Sequence, residues 1–218
     1  MKTINSQKLF MVNQELTMKC SSEENVSMKI ECFHITPDDV ISFQKESCSP
    51  TPFPSSFTNS ADSGFTNPVY GLNPYATSRH FPALKAAFSS SFPDFDFSHL
   101  CPWHFKLVSS SEQANYNISI FLSSHFNNSE ALCHHLWQAI DSEMNTSISD
   151  IYQYDPDCPD AFTEMGVTTN LTLFFINEQS DRVLIFHARE GVKSFDSDQS
   201  DDEDTDVPLE DRYGYGFF

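Results

Sequence analysis

The sequence predicts an α/β (α+β) protein: a single globular domain with a central antiparallel sheet flanked by helices, carrying a mobile internal linker and a disordered acidic C-terminal tail. Three observations predict it. Segments of two-residue and of helical apolar period are interspersed along the chain, two apolar runs are parted by a short polar turn, and the composition leaves globular character in two places. With 218 residues and 21 Phe there are enough large side chains for one core. The chain divides into residues 1–46 and 78–191, the two parts of one domain, a Pro/Ser/Asn-rich linker at 47–77 and a tail at 192–218.

VSMKIEC, Val26 to Cys32, alternates strictly between apolar and polar and predicts a half-buried strand. A short helix is expected from Thr36 to about Lys45, with Thr36 as cap, Pro37 in the first turn, and Asp38 and Asp39 where the helix dipole favours negative charge. From Ser47 to Ser78 Pro, Ser, Thr, Asn and Gly dominate and no period persists, which predicts the linker. Ser78 then caps a helix through ALKAAF that ends before Pro93, and NYNISIFL, Asn115 to Leu122, alternates again and predicts a strand. In SEALCHHLWQAIDSEM the apolar residues Leu132, Leu136, Ile140 and Met144 recur every four positions beside Trp137, so an amphipathic helix opens at Ser129. TNLTLFFIN and RVLIFHAR, parted by EQSD, predict a hairpin. Nine acids and no Lys or Arg lie between Ser194 and Asp211, nearly half of the net charge.

That net charge of −19, from 31 acids against 12 Lys and Arg, opposes a direct grip on nucleic acid, which is held through its phosphates by cations. A basic protein partner fits better. The chain shows neither the apolar run of a signal peptide at MKTINSQKLFMVNQ nor a stretch of about 18 apolar residues that would span a membrane, so a cytosolic or nuclear protein is expected. Six Cys and five N-x-[ST] sequons, at Asn25, Asn117, Asn127, Asn145 and Asn170, outline the alternative of a secreted, disulfide-stapled glycoprotein. Against it, the Cys show no tight repeated spacing.

Chemistry is sought first in DIYQYDPDCPDAF, Asp150 to Phe162. A calcium loop needs oxygens at alternate positions, a turn Gly and a bidentate Glu, but here Pro156 and Pro159 interrupt Asp155, Asp157 and Asp160 and no Gly is present. A polar turn is the simpler reading. Cys101 with His104, and Cys133 with His134 and His135, make a zinc site only if both groups converge on one tetrahedron. No nucleophile elbow and no Gly-rich phosphate loop occurs, so a metal-dependent or hydrolytic enzyme stays the alternative to a non-enzymatic protein without cofactor. Ser49-Pro50 and Thr51-Pro52 in the linker, and Ser197, Ser200 and Thr205 in acidic surroundings, are candidate phosphosites.

Three segments in order resemble one family, the Maf-one repressors of RNA polymerase III. FPDFDFS, Phe92 to Ser98, is similar to its PDYDFS signature. LWQAIDSEM matches its helix motif at Leu136, Trp137, Ala139, Ile140, Asp141 and Glu143. DIYQYDPDCPDAF matches at Asp150, Ile151, Tyr152, Tyr154, Pro156, Asp157, Asp160 and Phe162. The resemblance implies an α/β domain in two pieces around a linker, with Phe97, Leu136, Trp137, Ile140, Ile151, Tyr152, Tyr154, Phe162, Phe174 and Phe175 as structural residues. It further implies a protein without catalysis whose nuclear entry is controlled, and a monomer found in nucleus and cytoplasm is expected. Such a protein binds the clamp and associated subunits of RNA polymerase III, excludes its initiation factors, and answers to kinases and phosphatases acting on the linker. Ile151, Tyr152 and Tyr154 then read as a strand, Asp155 to Asp160 as the turn after it, and Asp94, Asp96, Asp155, Asp157 and Asp160 as the acids that meet a basic partner. One departure stands out. The family's hairpin Trp is Thr169 here, and its basic turn is Glu178, Gln179, Ser180 and Asp181.

Overall fold

A computed structural model describes residues 1–21, 25–36, 74–156, 160, 162 and 166–191. Among them are six strands and four helices. The strands are β1 (Lys2–Thr3), β2 (Val26–His34), β3 (Phe105–Leu107), β4 (Asp150–Tyr154), β5 (Val167–Asn177) and β6 (Arg182–Gly191), and the helices are α1 (Gln7–Cys20), α2 (Pro74–Ser91), α3 (Ser111–His125) and α4 (Glu130–Met144). All strand pairs are antiparallel, in the order β1-β2-β6-β5-β4-β3.

The expected hairpin is the centre of this sheet, with Leu173 opposite Phe186 and Phe174 opposite Ile185. Successive strand residues face opposite ways. Leu171, Leu173 and Phe175 of β5, with Leu184, Phe186 and Ala188 of β6, therefore meet the buried sides of α1, α3 and α4. Phe174, Ile176, Val183 and Ile185 meet α2 and the segment after it on the other face. Helices cover both faces, so the two central strands read as continuous apolar runs. β2 lies one strand outward, and its pattern is the expected one: Met28, Ile30 and Cys32 are buried while Ser27 and Lys29 alternate with them.

Two elements differ from the sequence reading. NYNISIFL is helix, the middle of α3, because Ala114, Ile118, Phe121 and Leu122 are the residues that reach the core, a helical spacing, while Tyr116 and Ile120 stay exposed. Its start is fixed by Ser110, whose hydroxyl accepts the Gln113 N–H at 3.2 Å. α2 begins at Pro74, so Ser78 lies inside it and not at its cap, and the helix takes up the last four residues of the expected linker. α1 had no sequence forecast, nor had the short strands β1 and β3. The helix from Thr36 to Lys45 falls, beyond Thr36, outside the described residues, as do 47–73 of the linker and the tail.

α1 also closes an edge of the sheet. β1 covers only the end of β2, and beyond it the Asn13 side chain stands in for a missing strand: its amide donates to the Ile30 carbonyl at 2.7 Å and its oxygen accepts the Ile30 N–H at 3.0 Å. Such capping blocks at Ile30 the edge to which another chain would add.

Candidate functional site

The segment FPDFDFS follows α2 and is held by an aromatic cluster. Its centre is Phe88, fully buried on α2, with ring centroids 4.7 Å from Phe97, 4.8 Å from Tyr154 and 5.0 Å from Phe174. Phe162 closes the cluster against Phe92 at 5.2 Å and Phe95 at 5.5 Å. Offset and edge-on aromatic pairs of this kind fix a loop to a sheet. Phe97, Tyr154, Phe162 and Phe174 thus meet around a residue that sequence reasoning passed over. Phe81, Leu84 and Phe88, spaced three and four apart in α2, were the signal for it.

The cluster leaves the acids of the segment outside. Asp94 and Asp96 are exposed, and Asp96 folds its own turn by accepting the Ser98 N–H at 2.8 Å and hydroxyl at 3.0 Å. Those bonds, the backbone one first, hold its carboxyl below the ordinary range. Asp155 is exposed as well and pairs with Lys106 on β3. Asp160 departs from the sequence reading of an exposed acid: it is buried, and it accepts the Tyr154 hydroxyl at 2.8 Å, which ties it to β4. Asp157 lies outside the described residues.

On the opposite face the LWQAIDSEM residues serve packing and helix ends. Leu136 and Ile140 are fully buried, and Trp137 lies edge-on to Phe175 at 6.1 Å. Asp141 accepts the Thr146 N–H at 3.0 Å and hydroxyl at 2.6 Å, closing α4 where Asn145 turns left-handed at φ 50°. Glu143 joins three elements: it accepts the Ser6 hydroxyl ahead of α1 and the Arg182 guanidinium of β6 at 3.1 Å.

The hairpin turn holds a second polar site. Glu178 receives Arg79 at 2.6 Å through one oxygen and His80 Nε2 at 2.6 Å through the other, and His80 Nδ1 lies 2.8 Å from the Tyr152 hydroxyl and 3.7 Å from Asp150. The His80 hydrogen bond, with Arg79 beside it, keeps the Glu178 carboxyl low, while burial and the charges of Asp150 and Glu178 push the Tyr152 phenol up. The file Tyr152–His80–Glu178 has the look of a proton relay. Its tyrosine end is fully buried and offers no atom to a substrate, so the arrangement clamps α2 to β4 and the turn.

The candidate zinc residues do not converge. The Cys101 N–H donates to His104 Nδ1 at 3.4 Å on the α2 face of the sheet, whereas Cys133 donates to Asn115 on the α4 face at 3.7 Å and His135 pairs with Glu15 at 3.2 Å. Among the described residues no group of three or more His, Cys, Asp or Glu is placed to hold a metal ion. Nor is any described helix long and apolar enough to cross a membrane.

Comparison with known proteins places these features. The family model described as Maf1 regulator matches residues 2–187. A protein of Dictyostelium discoideum named repressor of RNA polymerase III transcription is 30% identical over 128 residues, covering 56% of this chain and 44% of that one. One of Schizosaccharomyces pombe, named repressor of RNA polymerase III transcription maf1, is 26% identical over 119 residues, 54% and 50% of the respective chains. The chain spans about half the length of these relatives. Two crystal structures of citrus MAF1 share the fold, with TM-scores of 0.54 and 0.52 at 20% and 19% identity, each over 84% of this chain and 98% of the other.

Proposed function

As the chain belongs to the Maf1 regulator family, we propose that it represses transcription by RNA polymerase III and does so by binding, without catalysis. The family match across both pieces of the domain carries this reading. The mechanism is steric: the domain occupies the polymerase clamp and excludes the initiation factors. Asp94 and Asp96, exposed beside the aromatic cluster, Asp155, exposed and paired with Lys106, and the acids of the tail supply negative potential towards the basic surfaces that such a machine keeps for nucleic acid. Repression is relieved by phosphate on the linker at Ser49 or Thr51, with the protein moving between nucleus and cytoplasm.

The test is capture of purified RNA polymerase III by the full chain at rising salt. Binding that weakens steeply between about 50 and 200 mM salt supports the reading, since exposed charge is screened over that range. Absence of binding at low salt by folded protein contradicts it. Aspartate at both Ser49 and Thr51 is expected to lower the captured amount.

A further inference from the structure

α1 carries an apolar face that nothing described covers. Phe10, Met11 and Met18 are 61%, 59% and 69% exposed on a helix whose inner side, Leu9, Val12 and Leu16, is buried. Met11 lines a groove of about 580 Å³ between α1 and α4, with Lys8, Val12, Gln138 and Ala139. Phe10 borders a second groove towards β2. Single exposed apolar residues are ordinary, but here three lie on one helix and two of them border grooves.

Charge indicates what docks there. Residues 1–21 hold Lys2, Lys8 and Lys19 against Glu15 alone, +3 − 1 = +2, in a chain of net charge −19, so the remainder carries −21. The segment from Ser194 to Phe218 is the complement: nine acids interspersed with Phe195, Val207 and Leu209, then Tyr213, Tyr215, Phe217 and Phe218. Its point of departure is close. β6 ends at Gly191, whose N–H donates at 3.0 Å to Asn25, just past the C-terminal end of α1. The 14 residues of α1 rise about 21 Å, a length that roughly seven extended residues span. The segment therefore reaches the whole face from Met18 to Met11 with residues to spare.

We propose that the outer face of α1 is the docking site of the chain's own acidic segment, residues 194–218, in the free protein. The acids lie along Lys8 and Lys19, and apolar side chains of the segment cover Phe10, Met11 and Met18. A basic partner that draws off the acids bares the face. The inference is independent of which partner that is.

Zero-length carbodiimide coupling of the full chain, read by mass spectrometry, tests it. Expected are intramolecular Lys8 and Lys19 links to Asp196–Asp211, which fade in about 0.5 M salt as the charges are screened. In a chain carrying Phe10→Ser, Met11→Ser and Met18→Ser their yield should fall about five-fold or more, because the apolar contacts are lost. These residues are exposed, so the variant keeps its helical circular dichroism, and the salt series on the unaltered chain stands alone if it does not. Three results overturn the proposal: links to Lys106, on the far edge of the sheet, as abundant as those to Lys8 and Lys19; yields indifferent to salt; or links that join isotope-labelled to unlabelled copies, which make the occupant a second molecule.

Discussion

Phe88 and His187 show what single residues do in this domain. Phe88 touches the rings of four signature residues from its place on α2, so Phe88→Ala removes the centre of the cluster and should destabilise the fold by about 3–5 kcal/mol in urea unfolding, as large-to-small changes at packed aromatic sites do. His187 is buried between Phe92 and Phe162, with Nδ1 2.9 Å from the Thr172 hydroxyl. Burial first, then the charges of Arg189 and Lys29, lowers it from 6.5 to about 3. The unfolded chain then binds a proton between these values that the folded chain refuses. Stability from this residue is complete above pH 6.5 and falls as pH drops towards about 3, by at most ~1.4 kcal/mol per pH unit. Unfolding of the parent and of His187→Gln at several pH values should show the flatter profile for the variant, whatever its absolute stability.

At the scale of elements, the β-hairpin, β2 and α4 were legible because their periods are long and undisturbed, and DIYQY because it belongs to an ordered set of motifs. α3 was not, since NYNISIFL alternates over eight residues by chance and only the flanking Ala114 and Ser110 reveal the helical period. α1 was hidden for a related reason: Phe10, Met11 and Met18 face outward and blur the apolar stripe of Leu9, Val12 and Leu16. The polar site at the turn was legible only as a departure, because Glu178 and His80 are 98 positions apart. Two expectations belong here. Asn13→Leu unmasks the β2 edge at Ile30, and should cost about 1–3 kcal/mol while raising light scattering on standing. Glu178→Ala frees Arg79 and His80 together. Since both Glu178 and Arg79 are well exposed, the global loss is small, and the readout is faster amide exchange in α2 around 79–84.

For the whole molecule, the α+β architecture, the family and the acidic charge were all present in the sequence, while the division of labour among the acids was not. Asp160 looks like its neighbours in DIYQYDPDCPDAF, yet it is buried and bonded to Tyr154, whereas Asp94, Asp96 and Asp155 are exposed. What unites the molecule is a sheet core packed on both faces, in a chain of net charge −19. The proposed activity is repression. The most direct measurement is promoter-dependent transcription by purified RNA polymerase III with its initiation factors, the full chain being added before or after the factors assemble. The account predicts a dose-dependent loss of transcript when the chain is added first and a much weaker effect when it is added last. Undiminished transcription in both orders, with folded chain in excess over polymerase, would contradict it.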